Sequence, residues 1–334
     1  MKRVPLVTIV IPTYNYGKYI CEAIDSVLTS SFPMEEVEIV VVDDGSTDDT
    51  AQVVKRYQNK VTYIFQENSG KAQATREAIE NSCGRYILNL DADDLFLPNK
   101  IQEVVNIFES DPDIVHVGHP ALFWNVDGDT RIVEKIPNKY LGKKTLGKSL
   151  ISHFYRTNTQ FGGGSTFAAR REILEKFPIP REVDMYVDEY ILLVALTQGY
   201  SFFLDQPMSI WRIHSRNFSQ NQPKIQKLKA QRSLASAQAV FNELDSLGLE
   251  EEIQKLYQLK LLTFSMLVKE QIGEKSLSDI LGLVSFFSQS IPCFGLNIWR
   301  VIQGYRLLNR ALPIPIILFL KTIKEGYHAS SEGV

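Results

Sequence analysis

Tyr86-Ile87-Leu88-Asn89-Leu90-Asp91-Ala92-Asp93-Asp94 is an apolar run that stops on three carboxylates within four residues. The first half has the length and composition of a buried strand, and the acidic half lies just past its carboxyl end. Carboxylates this close repel, so something positive has to hold them together. A divalent cation bridging a diphosphate is one such partner. Hard cations such as Mg²⁺ prefer oxygen ligands and often take only one or two protein carboxylates, with substrate phosphates supplying the rest. The plainer reading is an acidic turn, with Asp94 capping the next helix.

Outward from this stretch, residues 1–120 alternate strand and helix signals. Leu6 to Ile11 is a β-branched run stopped by Pro12, and residues 17–30 carry Ile20, Ile24, Val27 and Leu28 at helical spacing. Val37 to Val42 is a second apolar strand, interrupted only by Glu38. Gly45-Ser46-Thr47-Asp48 then leads into a helix near 48–58, Val61 to Phe65 is a third strand, and 72–82 a third helix. Continuous apolar strands, each followed by a helix, imply a parallel sheet covered on both faces. Ligands of such sheets bind beyond the carboxyl ends of the strands. Thr13-Tyr14-Asn15, Asp43-Asp44-Gly45-Ser46 and Asp91 to Asp94 all fall on that edge, which favours a ligand site over three unrelated turns.

Further on, 114–134 reads as two strands around Val126-Asp127-Gly128-Asp129, and Phe161-Gly162-Gly163-Gly164 as either a mobile loop at a site or a linker. Ser165 to Ala169 reads as a strand, Tyr186 to Gln198 as a helix ended by Gly199, and Phe202 to Ile213 as one extended segment. From about 220 the character changes to amphipathic helices, over 223–247, 250–272 and on to about 325.

The chain has 334 residues, with 44% hydrophobic and 22% charged residues. That composition is ordinary for a globular protein of one large domain or one domain plus an appendage. A formal net charge of −3 argues against a general nucleic-acid binder. Cys21, Cys83 and Cys293 are far apart and odd in number, so they form neither a disulfide framework nor a metal cluster; a cytoplasmic location is expected. The opening residues lack a signal-peptide pattern, and no stretch of about 20 apolar residues predicts a transmembrane helix.

Val10-Ile11-Pro12-Thr13-Tyr14-Asn15, then Val41-Val42-Asp43-Asp44-Gly45-Ser46-Thr47-Asp48, then Leu90-Asp91-Ala92-Asp93-Asp94 resemble the successive signatures of family-2 glycosyltransferases. These are inverting enzymes of the GT-A nucleotide-diphospho-sugar transferase fold, a mostly parallel sheet flanked by helices. The resemblance covers roughly residues 5–218. It implies a catalytic domain over 1–218 and leaves 219–334 as a helical C-terminal region for packing, oligomerisation or membrane-surface contact.

The resemblance also implies roles. Pro12, Thr13, Tyr14 and Asn15 belong to the nucleotide-sugar site, with Thr13 and Tyr14 lining the base pocket. Asp43 accepts from the base or ribose, unless it merely forms the turn with Gly45, and Asp44 is divided between those two roles. Arg76 on the third helix helps hold the nucleotide, or is an exposed helix residue. Asp91 contacts the ribose, Ala92 lies in the same motif, Asp93 ligates Mn²⁺ or Mg²⁺, and Asp94 caps or orients the next turn. The family carries an acidic pair at a late helix start, usually Glu then Asp, with the second as base. Here the pair is Asp188-Glu189, in reversed order; both are candidate bases, with Asp188 preferred. Acidic residues at a helix start can also simply suit its dipole. Trp211-Arg212-Ile213-His214 resembles the segment that closes the donor domain, with Arg212 neutralising phosphate and His214 completing the metal site or contacting the diphosphate. His116, His119, His153 and His328 read as structural or surface residues.

The expected partners are a nucleotide-diphospho-sugar, UDP-linked by family habit, and a saccharide or lipid-linked acceptor. Residues 294–325 mix Trp299, Tyr305 and an aliphatic run with Arg300, Arg306, Arg310, Lys321 and Lys324. Such a stretch lies on the inner face of a membrane or packs in a helical bundle or a homo-oligomer. Two other readings compete. A nucleotidyltransferase would carry a Gly-rich basic loop where Pro12 to Gly17 stands, and a non-catalytic nucleotide-sugar-binding scaffold would not need Asp91, Asp93 and Asp188 intact. A dinucleotide oxidoreductase lacks its glycine turn.

Overall fold

The computed structural model describes residues 4–157, 159–215, 217, 226–274 and 276–294. Contacts divide the chain into two compact units, Met1–Asn221 with Asn242–Leu249, and Gln222–Phe241 with Glu250–Val334. The boundary expected at 218 and most of the basic aromatic stretch at 294–325 lie outside the described residues, as does His328.

The first unit opens with β1 (Val7–Thr13), α1 (Gly17–Leu28), β2 (Val37–Asp43), α2 (Thr50–Val54), β3 (Thr62–Phe65), α3 (Lys71–Glu80) and β4 (Tyr86–Asn89). All seven residues of β1 are buried, as a strand covered on both faces requires. Ile20, Ile24 and Val27 pack α1 onto it, and Leu28 is partly buried beside them. The chain continues through β5 (Leu95–Phe96), α4 (Lys100–Ser110), β6 (Ile114–Gly118), β7 (Ala121–Asn125), β8 (Thr130–Val133), β9 (Lys143–Leu146) and α5 (Gly147–Thr157). It closes with β10 (Ala168–Arg170), α6 (Arg171–Lys176), α7 (Val187–Gln198), β11 (Tyr200–Phe203) and β12 (Ser209–Ile213).

The main sheet runs β3-β2-β1-β4-β10-β6-β11-β9. Its first four strands are parallel, β10 runs against both β4 and β6, β11 is parallel to β6, and β9 is antiparallel to β11. The sheet is therefore mostly parallel, as expected, with the antiparallel pairings confined to β10 and β9. The single extended segment expected over 202–213 is two strands. Asp205-Gln206-Pro207 breaks it, and β12 joins a second sheet of order β5-β12-β7-β8. The stretch 114–134 gives three strands, not two, and Gly164–Thr166 is a 3₁₀ turn ahead of β10.

His116 and His119, expected to be structural or surface residues, are fully buried. His116 Nδ1 lies 2.7 Å from Ser201 Oγ and Nε2 3.2 Å from the Gly162 carbonyl. Burial pushes the His116 ring down to about 4, and His119 moves the same way. An unfolded imidazole takes its proton near pH 6.5. Stability is therefore full above about 6.5 and is lost as pH falls toward 4, because only the unfolded chain gains the proton. Melting temperature followed from pH 7 to pH 4 should fall less steeply in His116→Asn than in the parent, with His119 supplying the remaining slope. Identical slopes would place the acid sensitivity elsewhere.

The second unit contains α8 (Gln226–Glu243), α9 (Glu251–Ile272) and α10 (Leu277–Phe294), apart from the part of α8 beyond Phe241. Leu259 and Met266 of α9 pack with Leu283 of α10. No helix among the described residues is long and apolar enough to cross a membrane.

Candidate active site

The parallel register sets the strand ends abreast: Thr13 pairs with Asp43, and Val10 with Asn89. Each end then folds into a loop held by its own polar side chains. Asn15 takes a left-handed conformation at φ 59°. Its Oδ1 accepts from Thr47 N at 2.8 Å and Asp48 N at 3.2 Å, while its N–H donates to Ser46 Oγ at 2.8 Å. Asp43 accepts from Ser46 N at 2.8 Å and the Tyr63 hydroxyl at 2.7 Å. Asp44 accepts from Gln66 Nε2 and Ser69 N, both at 2.7 Å, and from Gly70 N at 2.9 Å. Every carboxylate oxygen of this pair carries a protein donor, so Asp43 and Asp44 act first as the frame of the pocket. Pro12 and Ala92 are buried, Tyr14 is 46% exposed, and Thr13 Oγ1 is buried without a partner. A buried hydroxyl in that state is short of a hydrogen bond that a ligand could supply.

The acidic turn is tied down from three sides. Asp91 Oδ1 receives Lys71 Nζ at 2.8 Å and Asn89 Nδ2 at 3.0 Å, and its N–H donates to Ser165 Oγ at 3.0 Å. The Ser165 hydroxyl donates to Asp94 Oδ2 at 2.5 Å, and Arg212 N donates to Asp94 Oδ1 at 3.0 Å. Asp94 is thus the orienting member of the trio. Asp93 Oδ2 receives Asn217 Nδ2 at 2.9 Å and lies 3.2 Å from His214 Nε2. The His214 ring stacks on Tyr19, centroids 4.4 Å apart. The Tyr16 hydroxyl also bonds Asp93; burial first, then the Asp93 and Asp91 charges, push that phenol up. Burial and the Asp91 charge hold the Asp93 carboxyl above its ordinary value, and Asp94 moves the same way. Burial lowers the His214 ring, which favours the neutral imidazole that metal ligation uses.

Two basic residues lie elsewhere than their expected roles would put them. Arg212 is buried beneath the turn, where Nε donates to the Asp93 carbonyl and Nη1 reaches Glu22 Oε2 at 2.5 Å. Its fork is spent on the protein, so it holds the motif in place of phosphate. Arg76 pairs with Glu80 at 2.7 Å and donates to the Ile179 carbonyl at 3.3 Å, in a separate cleft with Arg171. The base of α3 that enters the site is Lys71. Behind the turn, fully buried Lys100 donates to the Ser165 carbonyl at 2.5 Å and to Ser209 Oγ at 2.9 Å. Part of the positive charge that holds the carboxylates together is built into the chain as Lys71, paired with Asp91 and Asp188.

The acidic pair at the start of α7 separates. Asp188 faces Lys71 Nζ, at 3.3 Å and 3.2 Å from its two oxygens. Glu189 is buried and accepts from the Tyr155 hydroxyl of α5 at 2.7 Å. Tyr186, two residues before Asp188, holds φ at 63°, a conformation bulky residues rarely adopt. The Gly162–Gly164 break lies against the site: a Cβ at Gly164 would sit 3.7 Å from Asp91 Oδ2 and 3.8 Å from Asp188 Oδ2. Those are ordinary contact distances, so it is the left-handed dihedral, φ +54°, that favours glycine at 164. Lys71, Ser165, Asn217 and Glu22 were missed by sequence reasoning. Lys71 alone gave a signal, as the basic residue opening α3 on the ligand edge.

No group of three His, Cys, Asp or Glu side chains among the described residues is assembled to hold a metal unaided. Asp93 and His214 together offer one carboxylate oxygen and one imidazole nitrogen, the few protein ligands that a diphosphate-bridged cation takes. The donor set fits such an ion.

A mostly parallel α/β sheet with this acidic turn and a helix-borne carboxylate beside its carboxyl edge is the architecture of the GT-A fold. The family model described as Glycosyl transferase family 2 matches residues 8–177, and the chain belongs to that family. It is 33% identical over 219 residues to an uncharacterised glycosyltransferase of Nostoc, covering 63% of this chain and 66% of that protein. It is 40% identical over 216 residues to one of Rickettsia prowazekii, covering 63% and 65%. The matched part thus spans just under two thirds of those relatives. Escherichia coli chondroitin synthase is 32% identical over 163 residues, 48% of this chain and 23% of that one. Among solved structures, S. aureus TarS 1–349 in complex with UDP superposes with TM-score 0.54 at 21% identity, covering 86% and 88% of the two chains. The mannosyltransferase PcManGT of Pyrobaculum calidifontis, in complex with GDP-Man and Mn²⁺, does so with TM-score 0.51 at 19% identity, covering 92% and 86%.

Proposed function

We propose that this chain transfers a sugar from a nucleotide-diphospho-sugar to an acceptor hydroxyl with inversion at the anomeric carbon, in polysaccharide or glycoconjugate assembly. The observation that carries the reading is the division of labour around Asp91. Asp93 pairs with His214, suited to a cation on a diphosphate, while Asp188 shares the Lys71 ammonium with Asp91. Asp188 takes the proton of the acceptor hydroxyl as that oxygen bonds to the anomeric carbon, and the nucleoside diphosphate leaves with the electrons of the broken C–O bond. Glu189, bonded to Tyr155, supports α7 and is not the base. Asp93 and His214 would hold Mn²⁺ or Mg²⁺, which when bound supplies Lewis-acid neutralisation of the departing diphosphate. Thr13, Tyr14 and the Asp43-Asp44 frame would seat the nucleotide. We assign a saccharide or lipid-linked hydroxyl as acceptor and UDP as the carrier; TarS, which binds UDP, and PcManGT, which binds GDP-Man with Mn²⁺, support a donor of this chemistry.

The test is thermal unfolding of the purified protein with UDP, GDP, dTDP and CDP, each with and without Mn²⁺. A ligand at 100 times its Kd stabilises by about 2.7 kcal/mol. One nucleotide with Mn²⁺ should therefore raise the melting temperature by about 5 °C or more. His214→Ala should lose the Mn²⁺-dependent part and keep the rest. No shift with any nucleotide would overturn the donor-site reading.

A further inference from the structure

Lys71 is the one cation among the described residues that touches both Asp91 and Asp188, and the function just described gives it no task. Its position is strongly determined. Asp44 accepts from Ser69 N and Gly70 N and so fixes the chain immediately before α3. Gly70 has φ +92°, a conformation that favours glycine, and a Cβ there would meet the Asp184 carboxylate. From the first residue of α3, the ammonium reaches the end of β4 and the first turn of α7. It sits 2.8 Å from Asp91 Oδ1 and 3.2 Å from Asp188 Oδ2.

We propose that Lys71 is a positioning residue for the transfer: its ammonium bridges Asp91 and Asp188 and fixes the Asp188 carboxylate where the acceptor hydroxyl must arrive. The inference rests on Asp188 being the base. The charged groups that bear on Asp188 are Lys71 and Asp91, and the loop beside it is glycine backbone at 163–164. Burial pushes the Asp188 carboxyl up, Lys71 pulls it back down, and Asp91 pushes it up. Without the ammonium, two carboxylates would face each other with no counter-charge, and Asp188 would both swing away and hold its proton. A phosphate-binding lysine would leave its ammonium open toward the donor; this one is taken up by two carboxylates.

Kinetics and UDP·Mn²⁺ binding of Lys71→Met, Lys71→Arg, Asp188→Asn and the Lys71→Met/Asp188→Asn pair test it. The expected result is a loss of about 10²-fold in kcat for Lys71→Met, within the range positioned proton transfer supplies. UDP·Mn²⁺ affinity stays within about threefold, and Lys71→Arg regains most of the rate. In the Asp188→Asn background Lys71→Met adds almost nothing, because residues acting through one another are non-additive. A parallel loss of UDP·Mn²⁺ affinity, or a full additive loss in the double variant, would overturn the inference and make Lys71 a donor ligand. If Asp188→Asn is inactive and Lys71→Met is fully active, the inference fails while the base reading stands. If Asp188→Asn keeps full rate, the base reading itself fails.

Discussion

Asp188→Asn is expected to lower kcat by about 10³-fold while UDP binding in the presence of Mn²⁺ stays near the parental value. Removing a positioned general base costs 10²–10⁴-fold in rate. The amide keeps the size of the side chain and its contact with Lys71, but it cannot accept the acceptor's proton. Asp188 pairs with Lys71, whereas Asp93 pairs with His214, so donor affinity should be spared. Glu189→Gln is the control. It retains an oxygen for the Tyr155 hydroxyl and should keep rate within a few-fold. Stopped-time assays with donor and acceptor, alongside calorimetric titration of UDP, read both quantities. The reverse pattern, with Glu189→Gln inactive and Asp188→Asn active, would exchange the roles of the two carboxylates.

Arg212→Ala is expected to act on stability first. The side chain is 2% exposed and holds the Asp93 carbonyl, the Tyr19 carbonyl and Glu22. Truncation leaves buried acceptors without a donor and strips positive charge from beneath Asp93 and Asp94. Breaking a buried ionic contact costs about 3–5 kcal/mol. Glu22 is 59% exposed, so the lower end applies here. At about 3 kcal/mol the melting temperature should fall by roughly 6–12 °C for a domain of this size. Arg212→Lys keeps the charge and loses the fork, and should recover only part of the loss. If Arg212→Ala melts with the parent and weakens UDP binding alone, the residue is a phosphate ligand after all.

The parts of the site legible in the sequence are those where one short run of residues defines both element and chemistry. Asp91 to Asp94 follow an apolar strand, and Asp43-Asp44 follow another, so their common edge could be read directly. Arg76 shows the limit. Helical spacing places Lys71 and Arg76 five positions, about 140° of arc, apart on α3, but nothing local says which direction faces the ligand edge. That is decided by Asp44, whose carboxylate holds Ser69 N and Gly70 N at the start of the helix. Arg212 shows another limit. It shares a strand face with His214, yet its longer side chain reaches past the cleft to Glu22. The separation of Asp188 from Glu189 depends on Tyr155, which is remote in sequence. The reversed strand β10 was hidden for the same reason, since a strand of three residues carries no directional signal and its partners β4 and β6 decide.

β12 brings Arg212 and His214 to a site whose other half, Thr13 to Asp94, belongs to the first third of the chain. The bonds from Arg212 to Asp93 and Glu22 close loops of 119 and 190 residues. Closures this long are late events in folding, since their entropy is lost before the contact repays it. On the ribosome, β1 to β4 can pair as soon as they emerge, but the His214 imidazole and the guanidinium beneath the acidic turn do not exist until residue 214 has been synthesised. A nascent chain would therefore display the strand-end loops well before it could hold a nucleotide with a metal. Donor-dependent protection from protease should switch on abruptly across a series of stalled chains, at the length that frees β12.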